Sequence, residues 1–161
     1  MKAIRSLDAR DRLILQIVQR DATIPQVAIA RKVGLSTAAV HERLKKLKTA
    51  GVIRRFAALL DAQAIGATVT AFVEVFFEHP RFEPAFLARV LKLNEVLECH
   101  HITGEFSLLL KVRVADMRAL QHLLLRRLGG QQGVRQTRTV MVLSTAKEDT
   151  YVDPAPEGDV R

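Results

Sequence analysis

Apolar positions between Asp8 and Gln19 recur at helical spacing, with Leu13, Ile14, Ile17 and Val18 on one face. Asp8 is a good N-cap, and Asp11 adds a carboxylate in the positive first turn. A second helical pattern, QVAIARKV, is entered through Thr23-Ile24-Pro25. Proline suits a first turn, where its missing N–H is not needed. Val27, Ile29, Ala30 and Val33 form the expected buried side, and Gly34 can take the left-handed conformation that ends a helix. Leu35 and Ser36 alone separate that glycine from a third pattern, in which Val40, Leu44 and Leu47 face inward. Ser36 is a strong N-cap, and Leu35 with Val40 matches a hydrophobic staple. After Gly51, the sequence Val52-Ile53-Arg54-Arg55-Phe56 predicts a short strand, and the stretch 57–67 reads as a hinge.

Beyond the hinge the period becomes two. Val69, Ala71, Val73, Val75 and Phe77 point one way along TVTAFVEVFF, which predicts a strand with one buried face. A helix is expected at about Glu83–Leu91, with Phe86, Leu87, Val90 and Leu91 for the core. VLECHHIT is a second strand, Gly104-Glu105 a tight turn and SLLLKVRV a third strand. Asp116 caps a helix running to about Leu128, and VRQTRTVMVL is the fourth strand. The order βαββαβ is that of the ferredoxin-like split. With helices on one face, the sheet's other face is left to be covered, and Phe72 and Phe76 are candidates for it. The chain therefore reads as α+β: a winged helix-turn-helix over 1–60, then a ferredoxin-like domain over 61–161.

Composition changes the picture at one point. The chain has 161 residues and a net charge of +8. Residues 1–60 hold 13 Lys/Arg against 4 Asp/Glu, a balance of +9, and residues 61–161 hold 12 against 13. A basic module joined to a neutral one suggests an anionic polymer held at one end. The longest apolar runs are far short of the roughly 20 residues of a membrane span. A single cysteine, Cys99, excludes an internal disulfide. No long apolar leader opens the chain, so a cytoplasmic location is expected.

These features meet in the third helix. From Thr37 to Ala50 it would be about 20 Å long at ~1.5 Å per residue, enough to lie in a major groove. Its N-terminal residues Ser36, Thr37, Ala38 and His41 would meet base edges. Glu42, Lys45, Lys46 and Lys48 continue the outer surface, and Arg54 and Arg55 would reach phosphates from a wing. A solvated helix face would also be rich in lysine. The turn spacing, the wing arginines and the charge split together favour DNA.

The stretches LDARDRLILQIVQRDATI and ARKVGLSTAAVHERLKKLKTAGVIRRFAALLDAQAIG resemble the Lrp/AsnC family of bacterial and archaeal transcription regulators. The resemblance covers nearly the whole chain and is most specific in VGLSTAAVHERLKKL followed by GVIRRF. Arg43 occupies the position of the motif's arginine within the recognition helix. Pro25 departs from the pattern, which usually has a serine or similar cap there, and Thr23 is the expected substitute.

The resemblance implies that the second domain, a RAM-type domain, binds a small-molecule effector and drives assembly into dimers, tetramers or octamers. The effector, typically an amino acid, would sit around the turn between strands two and three. The family motif there is Gly-Asp/Glu-Tyr-Asp-Tyr, whereas this chain has Gly104-Glu105-Phe106-Ser107-Leu108. Thr103, Gly104, Glu105, Phe106 and Ser107, with Thr137 and Thr139 of the last strand, are the expected effector residues. Ser107 replaces a carboxylate, which predicts an altered preference.

Other signals carry less. Gly129, Gly130 and Gly133 follow a helix and precede a strand, the reverse of a dinucleotide loop. His100 and His101 point to opposite faces of a strand and cannot chelate together. No metal, cofactor or catalytic residue is expected. Two rivals remain: a sirohaem-decarboxylase-like enzyme casting His100 or His101 beside a tetrapyrrole, and an architectural DNA-binding protein with little sequence preference. The decarboxylase would have no use for the basic helix-turn-helix.

Overall fold

The computed structural model describes residues 7–154. They form two units, one of residues 7–59 together with 148–154, the other of residues 60–147. In the first unit, α1 spans Ala9–Arg20, α2 Gln26–Val33 and α3 Thr37–Thr49. Asp8 caps α1 by accepting from the Asp11 N–H at 2.7 Å, and Ser36 caps α3 by accepting from the Ala39 N–H at 3.1 Å. Gly34 ends α2 at φ 65°, and its N–H returns to the Ala30 carbonyl. The core is Ile14, Leu15 and Val18 of α1, Ile29, Ala30 and Val33 of α2, and Val40, Leu44 and Leu47 of α3, closed by Ile53.

Several expectations are corrected here. Leu13 and Val27 are exposed, and Leu15 takes the buried place instead. Thr23 does not cap α2. Its N–H and hydroxyl both donate to the Asp21 carboxylate, and Pro25 holds the cap position without a side-chain bond. Residues 52–56 form no strand. The β-branched pair has no ladder partner within the described residues, and a lone strand is not stable. Segment 148–154, which the sequence assigns to the second domain, packs in the first unit. There the Gln19 side chain exchanges two 2.9 Å hydrogen bonds with the Val152 backbone, and the Arg20 guanidinium lies 5.8 Å from the Tyr151 ring centre.

The second unit is a four-stranded antiparallel sheet with the order β2-β3-β1-β4. Its strands are β1 Val69–Phe77, β2 Val96–His101, β3 Leu108–Val114 and β4 Val134–Met141. α4 (Glu83–Val90) joins β1 to β2 after a short 3₁₀ turn. α5 (Met117–His122) joins β3 to β4 and continues as a π-helical stretch, Leu123–Leu128. Asp116 caps α5 by accepting from the Ala119 N–H. This is the βαββαβ order with both crossovers on one face.

Strand parity divides that unit. Ala71, Val73, Val75 and Phe77 of β1, and Leu108, Leu110, Val112 and Val114 of β3, are buried with Phe86, Val90, Leu120, Leu123 and Leu128 from the helical side. Leu91 is exposed, because α4 ends one residue earlier at Val90. Phe72 and Phe76 are half-buried, at the alternate positions of β1. Among the described residues no helix is long and apolar enough to cross a membrane.

Gly133, just before β4, has φ +81°, and an added Cβ there would overlap the Phe82 ring. Gly66 has φ +78° but open space around it. The first site combines backbone strain with a clash in a packed interior, and the second has strain alone. Thermal unfolding followed by circular dichroism should show Gly133→Ala lowering the melting temperature well beyond Gly66→Ala, whose cost is about 1 kcal/mol.

Candidate DNA interface and effector turn

The apolar stripe of α3 decides which residues it shows to solvent. With Val40, Leu44 and Leu47 buried, Thr37, Ala38, His41, Glu42, Lys45, Lys46 and Lys48 are exposed. Ser36 is exposed too, at the start of α3, with its hydroxyl engaged as the cap. Arg54 and Arg55 are exposed beyond the end of α3. The Lys48 ammonium lies 4.6 Å from the Phe56 ring centre, which holds that side chain against the segment after α3.

Arg43 is placed differently. It is half-buried, and its Nη1 donates to Asp8 Oδ2 at 2.6 Å and to Asp11 Oδ1 at 2.7 Å. The guanidinium is therefore turned to the first turn of α1 and engaged there. Sequence spacing puts Arg43 in the helix but does not say which side of the apolar stripe its long chain follows. The signal was there in Asp8 and Asp11, two carboxylates one turn apart at a helix start.

The effector turn is ordered by backbone bonds. The Ile102 N–H donates to the Ser107 carbonyl at 3.1 Å, and the Ser107 N–H donates to the Val75 carbonyl at 2.9 Å. Gly104 has φ +113°, a conformation that favours glycine. Thr103, Gly104 and Glu105 are exposed, Ser107 is half-buried and Phe106 is buried. The Phe106 ring meets Phe76 edge to face at 6.4 Å, and the Arg138 guanidinium lies 5.0 Å from its centre.

The expected effector residues do not gather on one side of the sheet. Phe106 stacks on Phe76 and Arg138, on the face away from the helices. Thr137 and Thr139 stand opposite Val75 and Val73, whose side chains belong to the helix-covered core. Cross-strand partners share a face, so the two threonines lie on the other side from Phe106. Arg138, between them, is the residue that sequence reading passed over. It pairs with Glu74 across β1 and β4. Hydrogen bonding to Arg138 holds the Glu74 carboxyl below its ordinary range, and the same bond raises Arg138.

The histidine pair divides as strand geometry requires. His100 Nε2 lies 3.1 Å from Glu98, and His101 Nε2 lies 2.6 Å from Glu83. Among the described residues no group of three or more His, Cys, Asp or Glu could hold a metal ion. Cys99 is half-buried, and burial pushes its thiol up.

The Asp8 carboxyl is held below its ordinary value, first by the Asp11 N–H and then by Arg43. A folded-state pKa that is depressed gives stability above the unfolded value, near ~3.9, and loses it as pH falls through the folded one. Acid titration of the melting temperature should therefore be steeper below about pH 4 in the wild type than in Asp8→Asn, which keeps a capping side chain.

Comparison with known proteins agrees with both halves. Residues 7–54 match the winged helix-turn-helix DNA-binding family, and residues 70–152 match the Lrp/AsnC ligand binding domain. The chain is 38% identical over 146 residues to the leucine-responsive regulatory protein of Salmonella typhimurium, covering 89% of each chain. It is 34% identical over 145 residues to an HTH-type transcriptional regulator of Pyrococcus abyssi, covering 90% of this chain and 95% of the other. Its fold superimposes with a TM-score of 0.86 on a transcriptional regulator of Neisseria meningitidis in complex with L-methionine, at 34% identity over 91% of this chain and 96% of that one. These relatives are regulators, and the decarboxylase alternative finds no support among them. With a DNA-binding helix-turn-helix followed by the family's ligand-binding sheet, the chain belongs to the Lrp/AsnC family of DNA-binding transcription regulators.

Proposed function

We propose that α3 enters the major groove and that the protein reads palindromic DNA as a dimer or larger assembly. The carrying observation is the outer surface of α3, where His41, Lys45 and Lys46 are exposed in a segment whose balance is +9. Ser36, Thr37, Ala38 and His41, at the N-terminal end, face the bases. Glu42 lies beside them and restricts which bases fit. Lys45, Lys46, Arg54 and Arg55 serve the phosphates. The sheet face carrying Phe72 and Phe76, left without helices, is the surface for a second copy. Symmetric pairing sets two recognition helices about 34 Å apart or a multiple of it, as two half-sites on one side of a duplex require.

A titration of binding against salt tests this reading. Each lysine that meets a phosphate contributes about 0.9 to the slope of log affinity on log salt. Lys45→Gln and Lys46→Gln should each weaken binding to every sequence and flatten the slope by about one unit. Changes at Thr37, Ala38 or His41 should instead alter which sequence is preferred. A wild-type affinity indifferent to ionic strength would overturn the proposal.

The effector we infer is an apolar amino acid, methionine or leucine, at the turn of Thr103 to Ser107. The methionine complex of the Neisseria relative supports the ligand class. The buried Phe106 ring supports its apolar character. Ser107 can accept a hydrogen bond from an ammonium group but supplies no charge. A charge-assisted bond is roughly twice as strong as a neutral one, so the difference is about 1 kcal/mol, or about fivefold. Calorimetry should show weak binding of L-methionine or L-leucine by the wild type, strengthened about fivefold in Ser107→Asp. Tight binding of a charged amino acid, unchanged in the variant, would place the ammonium elsewhere.

A further inference from the structure

We infer that Arg43 is a positioning residue: it fixes the recognition helix on α1 through Asp8 and Asp11 and makes no contact with DNA. The inference rests on the DNA-binding reading of α3 and concerns how that helix is aimed. Three observations lead to it. The first is the double bond itself, one guanidinium nitrogen within 2.6 Å and 2.7 Å of two carboxylates. Asp11 has 19% of its side chain exposed and Arg43 30%, so this pair is partly sheltered from water. A phosphate on the outer surface would offer a screened contact in exchange for two charge-assisted bonds.

The second observation is that the acids are themselves fixed. Asp8 is the N-cap of α1, and Asp11 lies in its first turn, where the helix dipole favours a carboxylate. Asp8 cannot follow Arg43 outward without uncapping α1. The third is the charge around them. A hollow of about 490 Å³ is lined by Asp8, Asp11, Glu42, Arg43 and Lys46, with Leu7 at its edge. Three carboxylates against two cations give Arg43 a locally negative setting that disfavours a phosphate beside it, whereas Lys46 is exposed to solvent.

What the clamp supplies is direction. α1 and α3 also share an apolar core, with Ile14 and Val18 in one cluster with Val40, Leu44 and Leu47. Apolar burial is non-directional and leaves small rotations of α3 inexpensive. A guanidinium held by two carboxylates on a capped helix end fixes that rotation. The N-terminal residues of α3 then arrive at base edges at one angle. Loss of the clamp should harm recognition of a specific site more than attraction to DNA in general.

The experiment uses the full-length protein and two duplexes of equal length: a palindromic site selected in vitro for the wild type, and its shuffled sequence. Variants are Arg43→Gln, Arg43→Lys and the double change Asp8→Asn with Asp11→Asn. Binding is titrated against salt at a temperature where circular dichroism shows each variant folded. Arg43→Gln is expected to weaken the selected site tenfold or more and the shuffled duplex less than twofold, with the salt slope unchanged. The double asparagine variant, which keeps its helix cap, is expected to do the same although it removes two negative charges. Arg43→Lys should recover part of the specific affinity. A slope flattened by about one unit in Arg43→Gln, or tighter binding by the double variant, would show that Arg43 serves a phosphate. Unchanged affinities with only a lower melting temperature would reduce the clamp to a stability contact. A wild-type slope near zero would instead bring down the DNA reading, and the inference with it. If Arg43→Gln does not fold, the double variant alone decides, because the two readings give it opposite signs.

Discussion

Burial of one apolar stripe governs what α3 can do. Val40, Leu44 and Leu47 are each within a few per cent of full burial, and each contributes roughly 1.5–3 kcal/mol by leaving water. No rotation of the helix that exposes them is affordable in so small a core. His41, Glu42, Lys45 and Lys46 are thereby kept outside, and Arg43, next to the stripe, is held by Asp8 and Asp11. The basic surface is a consequence of the core.

The same logic explains what the sequence disclosed and what it withheld. Strand parity in β1 and β3 was legible, because alternate burial at Val73, Val75, Leu108 and Leu110 needs only a period of two. The three helices and their caps at Asp8, Ser36 and Asp116 were legible, because a cap is a local hydrogen bond. What escaped depends on distant partners. Leu13 lies within helical spacing of Ile14 and Ile17, yet the unit is covered on one side only, and Leu15 is chosen. Val52 and Ile53 have the β-branched character of a strand, but a ladder needs a neighbour that none of the described residues supplies. Arg43 looks like its lysine neighbours until Asp8 and Asp11, more than thirty positions earlier, are placed beside it.

The sheet shows how parity sorts chemistry as well as burial. Thr137 and Thr139 share their face with Val75 and Val73, while Arg138 between them meets Glu74 and Phe106. A motif read as a string of letters joins the threonines to the turn at Gly104. The pleat assigns them to opposite sides of one layer. A ligand at the turn, as proposed above, would share the side of Phe106 and not that of the two threonines.

Charge placement carries the last step. Of the 13 Lys/Arg in residues 1–60, Arg43 is already engaged by two carboxylates within the unit. On the proposed reading the phosphates are met by a few exposed side chains, Lys45, Lys46, Arg54 and Arg55. Four such contacts would give one unit only a moderate hold that falls steeply with salt. Useful affinity then requires two units on one duplex, where the second contact becomes intramolecular and adds a factor of about 10²–10⁴. A neutral second domain with a sheet face free of helices is suited to that tether, since it adds no phosphate attraction of its own. Under the two proposals recognition is divided: a helix aimed by an internal ion pair supplies the selectivity, and pairing through a neutral sheet supplies the strength.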